Sequence, residues 1–580
     1  MSARGTRLLS IAVLVAALGF AAAISSFALF RHIRVPHHDD WFLLDEMYRS
    51  PLGSWVFSIQ NGHRLPATLL LLYLDQTWAG GRMHLLVVAA QASAWISALA
   101  LALALRSPMA SDPLLHRTLL AFGIFALFWS GSAYNFRWGV NHGSVWTAMW
   151  LLLAVLALAR VRDRVRERGE ARLVLLAAGS ALLATFGHGI GVATWGALFA
   201  IWAAGRMPGR VGAALAAGAL VSVGLYSVGL FGSHGVPNGA GSLLALLVDR
   251  PGDLLLFVCA FAGAPFGWAL NGLGLVAADG MLRASTAVGA LLTLGTCAFG
   301  ALAWRRGAAL PEFSLAGFGL MVFVLGGGLI VGLTRLAYFG PSQAVEIRFL
   351  CWSTLFWIGG ALALGGIATG RGARLALACA LPALSLAMLP AFFEIRALQA
   401  EQDGRDADVV LALLLGARPG SLLLDASRGA PEVVDRVVAH LSRERRSPFG
   451  DERSGLAGTI FAERFTLARG QPCGGDSELR WRVPGGDLAT VRGRLDPDGI
   501  APAYLVLVDS KGVIRGLGEE RPARRGAAPV RHWEGVIASF ALHERYAAYA
   551  VLRDGRSACP VGVIGRGPGG PGLRTKRPPT

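Results

Sequence analysis

The run from Leu8 to Phe30 (LLSIAVLVAALGFAAAISSFALF) carries no charge and has the ~20-residue length a helix needs to cross a hydrocarbon core. Inside a bilayer every backbone N–H and C=O must find a partner within the protein. A chain with many such runs is therefore confined to a bundle of helices. Further runs recur near 82–105, 114–130, 140–159, 172–187, 190–205, 211–231, 284–304, 314–334, 347–369 and 375–393. They predict a polytopic α-helical membrane protein of about eleven crossings. Composition agrees, because 54% hydrophobic against 16% charged residues is too apolar for a soluble chain.

Orientation follows from arginine. Arg4 and Arg7 precede the first run, which places the amino terminus in the cytoplasm. Arg106 to Arg117, Arg160 to Arg168, Arg206 with Arg210, Arg305 with Arg306, and Arg371 with Arg374 then all fall on the cytoplasmic side. No A-x-A site separates the first run from Arg31-His32-Ile33-Arg34, so it reads as an anchor rather than a cleaved signal peptide. If Leu65–Trp78 or Leu254–Leu270 crossed, every later arginine cluster would change sides. Both are therefore expected as helices at, or dipping into, the outer face. Orientation and anionic headgroups account for the net charge of +17, and no nucleic-acid-binding pattern accompanies it. Nucleic acid is not an expected partner.

An odd number of crossings puts the chain beyond residue 393 outside. There the pattern changes: Val433, Val434, Val437, Val438 and Leu441 have the spacing of an amphipathic helix, and Leu479, Trp481 and Val483 alternate with Arg480 and Arg482 as in a strand. Tyr504–Val508 leads through Asp509-Ser-Lys-Gly512 to Val513 and Ile514, and Tyr546–Leu552 through Asp554-Gly555, both hairpin signals. The expected organisation is a membrane domain (1–393), a small exoplasmic α+β or β-sandwich domain (394–564) and a disordered Gly/Pro/Arg-rich tail (565–580). Cys259, Cys297, Cys351 and Cys379 lie in apolar segments as small hydrophobes, whereas Cys473 and Cys559 could pair if the last domain is in an oxidising compartment.

The polar residues gather at the outer mouths. His37-His38-Asp39-Asp40 follows the first crossing and Asn61-Gly62-His63-Arg64 precedes the first outer-face helix. Asn135-Phe-Arg137-Trp138, Asn141-His142 and Gly187-His188 occupy two further mouths, and Arg335 and Arg348 flank the loop that also holds Glu346. Bland readings exist for each. Asp39 or Asp40 suits the start of a helix near Trp41, Trp138 and Trp146 suit an aromatic belt, and Arg335 and Arg348 suit phospholipid headgroups. Glu346 could neutralise Arg348 locally, and Gly326-Gly327-Gly328 reads as close helix packing rather than a phosphate loop.

The segments PHHDDWFLLDEM, NGHRLPATLLLLYLD and EIRFLCWSTLFWIGG, with an acidic pair in the first exoplasmic loop, resemble a bacterial branch of the GT-C glycosyltransferases. Arg348-Phe349 stands where that branch has an Arg-Tyr-like element, so a phenol hydroxyl is missing. The resemblance covers roughly residues 8–393. It implies an inner-membrane enzyme that moves a sugar from a polyprenyl phosphate or pyrophosphate donor to a cell-envelope glycan or lipid acceptor. Asp40 would be the base, with Asp39 as its partner. Arg348, Arg335, Arg64 and His63 would hold the donor phosphate, and Trp138, Asn141, His142 and His188 the sugar or acceptor. No cofactor is firmly implied; Asp39, Asp40 and His38 are the candidate ligands of a divalent cation. The competing functions are a lipid-linked glycan flippase, disfavoured by the scarcity of charge in the middle of the runs, and a non-catalytic envelope-assembly subunit.

Overall fold

The computed structural model describes residues 3–60, 62–106, 112–161, 170–230, 240–306, 310–417, 431–468, 473, 475–482, 488–496, 501–521, 531–538, 540–541 and 544–564. Asn61, the basic run Arg162–Arg168, Val483 and the tail 565–580 lie outside the described residues. The chain divides into two compact units. One comprises Met1–His32, Ser50–Ala79 and Met83–Gln399, the other Ile33–Arg49, Gly80–Arg82 and Ala400–Thr580. This differs from the expected division in two ways. The 393/394 boundary falls within a continuous helix, Arg371–Leu414, and the acidic segment 33–49 belongs to the second unit.

In the first unit, among the described residues, nine helices are long and apolar enough to cross a bilayer, which makes the chain a multi-pass helical membrane protein by length and composition. The helices Pro113–Phe128, Glu170–Thr185 and Gly189–Ala204 coincide with three further expected crossings but are shorter. Windows of Pro251–Gly272, Glu312–Phe339 and Ile347–Ile367 are each 72% buried and form the centre, while that of Ala278–Arg306 is 22% buried and belongs to the rim. Pro66–Trp78, one of the two expected outer-face helices, has 13 residues and is too short to span. The other, expected over Leu254–Leu270, is the 22-residue helix Pro251–Gly272, which has membrane-spanning length. Most of it is covered by protein, though Leu255 and Leu256 are exposed, so its hydropathy alone could not tell lipid contact from core.

Small residues let the central helices approach backbone to backbone. A side chain at Gly317 would sit 2.5 Å from the Gly359 carbonyl oxygen, and one at Gly359 would sit 2.6 Å from that of Gly317. The expected packing role of Gly326–Gly328 has the same basis: a Cβ at Gly326 would lie 3.3 Å from Ala193, at Gly327 2.5 Å from Ile190 and at Gly328 3.2 Å from Phe261.

The second unit carries the helix Pro431–Arg443, which buries Val433, Val434, Val437 and Leu441, and one eight-stranded sheet. Its strands are β1 (Thr466–Leu467), β2 (Gly475–Arg482), β3 (Ala489–Leu495), β4 (Tyr504–Val508), β5 (Ile514–Arg521), β6 (Arg531–Ile537), β7 (Tyr546–Val551) and β8 (Ser557–Ile564). They are ordered β1-β8-β7-β4-β5-β6-β3-β2. The expected two-sheet sandwich is therefore replaced by a single sheet. It curls until β2 lies beside β8, where a side chain at Gly562 would meet the Ser477 hydroxyl at 2.8 Å. A disulfide between Cys473, just before β2, and Cys559 on β8 closes this half-barrel.

Both expected hairpins form. Val508 pairs with Ile514 across a turn in which the Asp509 carboxylate accepts the N–H groups of Lys511 and Val513 at 2.9 and 2.8 Å, with Gly512 at φ +80°. In the β7–β8 turn, Asp554 accepts the N–H groups of Arg556 and Ser557 at 3.0 and 2.9 Å, with Gly555 at φ +68°. Every residue of β4 is buried, as befits a strand paired on both sides.

Candidate functional site

The turn leading into Pro66–Trp78 is closed by reciprocal backbone bonds: Gln60 N–H to the His63 carbonyl (2.7 Å) and His63 N–H to the Gln60 carbonyl (2.8 Å). Gly62 supplies the positive φ of +76° that this turn needs. The His63 ring is thereby held 4.3 Å from that of His188. His188 stands at the start of the short helix Gly189–Val192, where its Nδ1 accepts the Ile190 N–H at 3.5 Å, leaving the ring proton on Nε2 when the imidazole is neutral. On its other side His188 meets Trp352 edge-on, with centroids 4.6 Å apart, and the Trp352 indole donates to the Ser144 carbonyl at 3.2 Å. Gly189 makes the approach of the two imidazoles feasible, because a Cβ there would lie 2.7 Å from His63 Nδ1 and 2.9 Å from the Tyr226 hydroxyl.

Arg335 and Arg348 share one aromatic platform. Their guanidinium carbons lie 5.8 and 5.1 Å from the centroid of Phe349, which itself stacks on Trp352 at 5.8 Å. Desolvation, then Arg335 and Arg348, push the His63 pKa down to about 3. Desolvation, His63 and the same two arginines hold His188 well below the usual imidazole range. The arrangement is thus two fixed cations beside two neutral imidazoles.

Arg348 is anchored on both sides. Its Nη2 donates to Gln343 Oε1 at 3.0 Å, and Gln343 Nε2 donates to Glu346 Oε1 at 3.2 Å. An amide therefore mediates between Arg348 and Glu346, in place of the direct neutralisation the sequence left open. Asn135 Nδ2 donates to the Arg348 carbonyl at 3.0 Å, and Asn141 Nδ2 to Asn135 Oδ1 at 2.9 Å. Among the described residues, Arg348 Nε, His63 Nδ1 and the Tyr226 hydroxyl are buried with no hydrogen-bond partner.

The other expected residues are placed differently. Arg64 donates to the backbone carbonyls of Tyr226 (3.1 Å), Phe57 and Val228, so its guanidinium clips a turn rather than facing a ligand. His142 is fully buried with Nδ1 3.3 Å from the Thr68 hydroxyl, and Trp138 is buried with its ring 6.0 Å from Tyr134. Asn141 reaches the cluster only through Asn135. Asn135, Gln343, Trp352 and Tyr226 were not singled out as ligands from sequence. Two of them lie in quoted motifs, Asn135 beside Arg137-Trp138 and Trp352 in EIRFLCWSTLFWIGG.

The acidic cluster is built into the second unit. Asp40 is 1% exposed and begins the helix Asp40–Arg49; its Oδ2 accepts the His37 N–H at 3.0 Å, while the Asp39 carbonyl accepts the Leu43 N–H at 3.1 Å. The Asp40 carboxylate thus binds the backbone upstream of the helix, and the bond at the helix start is made by the Asp39 backbone. Asp45 is held by Arg436 through a two-pronged pair of 2.9 and 2.7 Å, which keeps its carboxyl below the usual range, and Tyr48 stacks on His440 at 3.6 Å. These contacts explain why the segment joins the second unit. Among the described residues no group of three or more His, Cys, Asp or Glu side chains forms a metal-holding cluster, with His38, Asp39 and Asp40 included.

His37 gives this unit a pH dependence. Burial opposes its charge, but the Asp406 carboxylate 3.3 Å from Nδ1, with Asp40 and Asp403 beyond, outweighs that and raises its pKa above 6.5. A raised histidine pKa stabilises fully below the unfolded value and ceases to do so as pH climbs through the folded one. Thermal unfolding of the full chain should show a higher midpoint at pH 6 than at pH 8, and His37→Gln should shrink that difference. An unchanged difference would remove His37 as its source. No protein-family model matches the chain, and neither the curated proteins nor the solved structures contain a match to it.

Proposed function

We propose that the chain is an inner-membrane glycosyltransferase of GT-C type, moving a sugar from a polyprenyl phosphate or pyrophosphate donor to a cell-envelope acceptor on the exoplasmic side. The convergence of Arg335, Arg348, His63 and His188 carries this reading, since two guanidiniums beside neutral ring N–H groups suit a lipid phosphate. In this reading Pro251–Gly272 is not counted as a crossing, despite its length, and the other runs, about eleven, put the amino terminus in the cytoplasm and the half-barrel in the periplasm. The disulfide supports that side, because such bonds persist in oxidising compartments. Asp40 takes the acceptor proton, Asp39 is its partner or, with His38, a cation ligand, and the half-barrel orients the acceptor.

Asp40→Asn tests this while keeping one structural contact, because an amide oxygen can still accept the His37 N–H. Purified variant supplied with a panel of polyprenyl-linked sugars is expected to lose transfer by about 10²-fold or more while unfolding normally. Undiminished turnover would remove Asp40 from the mechanism.

A further inference from the structure

Three separate stretches of the second unit bring arginines to one place. Ser447 ties them together: its N–H donates to the Gly80 carbonyl at 2.9 Å and its hydroxyl to the Arg34 carbonyl at 2.7 Å. The preceding turn 443–446 (Arg-Glu-Arg-Arg) is held by the Arg445 N–H on the Ser442 carbonyl (3.2 Å) and the Arg446 N–H on the Leu441 carbonyl (2.9 Å). Arg34, Arg82, Arg443 and Arg445 are exposed, and Arg446 is half-buried beside Tyr48, whose ring stacks on His440. Glu444 offsets one of these charges, while Asp451, near Arg82, is gripped on both oxygens by Arg453 at 2.8 Å. The local field is positive: besides desolvation, Arg446 and Arg443 depress the His440 imidazole and outweigh Glu444.

The chain itself keeps this patch near the membrane. Arg34 follows the end of the membrane-length helix Ala3–Phe30 by four residues, and Arg82 precedes the start of His84–Leu105 by two. At about 3.5 Å per residue, their backbones lie within about 14 and 7 Å of those helix ends. Side-chain reach and a Debye length of about 8 Å carry both charges into the field of the headgroups. Insertion bias does not account for them, since on the exoplasmic side of the proposed topology arginine runs against that bias. We propose that Arg34, Arg82 and the 443–446 turn form a docking surface for the anionic phospholipid headgroups around the bundle, fixing the second unit at the bilayer surface. The inference needs the membrane and not the transferase reading, so either can fail without the other.

The test follows hydrogen exchange over residues 440–450 of the full chain in nanodiscs of phosphatidylcholine, with and without phosphatidylglycerol. Phosphatidylglycerol is expected to slow exchange there about fivefold or more, the effect of one arginine engaged at a charged leaflet. Salt at about 0.5 M should remove the slowing. Arg443→Gln with Arg445→Gln, both at exposed positions, should erase most of the difference between the lipids, whereas lysine at both should keep it. Arg492→Gln with Arg494→Gln removes the same charge from strand β3 and should leave the difference intact. Equal exchange in the two lipids, or a difference unchanged by loss of Arg443 and Arg445, would overturn the proposal. A difference lost equally in the β3 variant would reduce the effect to net charge and end the case for this surface. Slowing by soluble polyglutamate and not by phosphatidylglycerol would replace the lipid with a polyanionic acceptor.

Discussion

Replacing both Arg335 and Arg348 by alanine is expected to lower sugar transfer about 10³-fold or more, the largest catalytic effect of any pair in the chain. Removal of one preorganised donor from a developing charge typically costs ~10²–10³ in rate, and in the proposed reaction this pair faces the atom on which charge accumulates. The loss should appear mainly in kcat, because the donor phosphate carries less charge than the departing one. Lysine at either position preserves charge without the flat two-pronged fork, so single lysine variants should fall between, about tenfold below the parent chain. Phe349→Leu removes the platform beneath both guanidiniums and should reproduce part of the loss, whereas Phe349→Tyr keeps the ring. Radiolabelled sugar transfer, with the unfolding midpoint recorded for each variant, separates chemistry from folding. Parental rates in the double alanine variant would end the phosphate role of this cluster.

Arg64 supplies the contrast. It sits beside His63 in sequence and has the same charge as Arg335 and Arg348, and from sequence alone it belongs with them. In the structure its three carbonyl contacts tie residues 57, 226 and 228 together. Sequence reports which residues share a compartment. It does not report which cations are already engaged by backbone oxygens, since two of the three come from a segment some 160 residues away.

The same distinction runs through the fold. Turn chemistry at Asp509-Ser-Lys-Gly512 and Asp554-Gly555 is local, and both hairpins could be read directly. So could the amphipathic helix at 431–443, whose buried valines repeat at helical spacing. Sheet closure could not, because it depends on curvature that no local pattern encodes, although the Cys473–Cys559 pair that spans it could be anticipated. The grouping of the acidic segment with the second unit is hidden for a related reason. Following a hydrophobic run makes residues 33–49 look like a membrane loop, yet the Asp45–Arg436 pair and the Tyr48–His440 stack attach it to a helix almost 400 residues later. The proposed base and the proposed phosphate ligands thus belong to different compact units.

The largest stability effect is expected where the helices Pro251–Gly272 and Ala278–Arg306 meet. Gly263 and Gly267 recur at four-residue spacing on the first helix, and Ser285 and Gly289 at the same spacing on the second. A side chain at Gly263 would strike the Ser285 carbonyl oxygen, one at Gly267 the Ser285 hydroxyl, and one at Gly289 the Cys259 carbonyl oxygen. Small residues at this spacing let two backbones touch, and in a bilayer such packing replaces the hydrophobic drive that water would supply. Carbonyl oxygens cannot swing aside as a flexible side chain can, so Gly289→Leu must separate the helices along their length. That separation would pull the Pro251–Gly272 helix from its neighbours, including the Trp268 indole from the Val345 carbonyl, 2.9 Å away in the loop that precedes Arg348. The expected cost is about 3 kcal/mol or more, read as a lower unfolding midpoint in detergent and weaker phosphate binding. Gly295→Ala, six residues along the same helix, meets nothing within 4 Å and should be neutral or slightly stabilising through its better helix propensity. Equal midpoints for the two variants would mean that these two helices do not depend on backbone contact at Gly289.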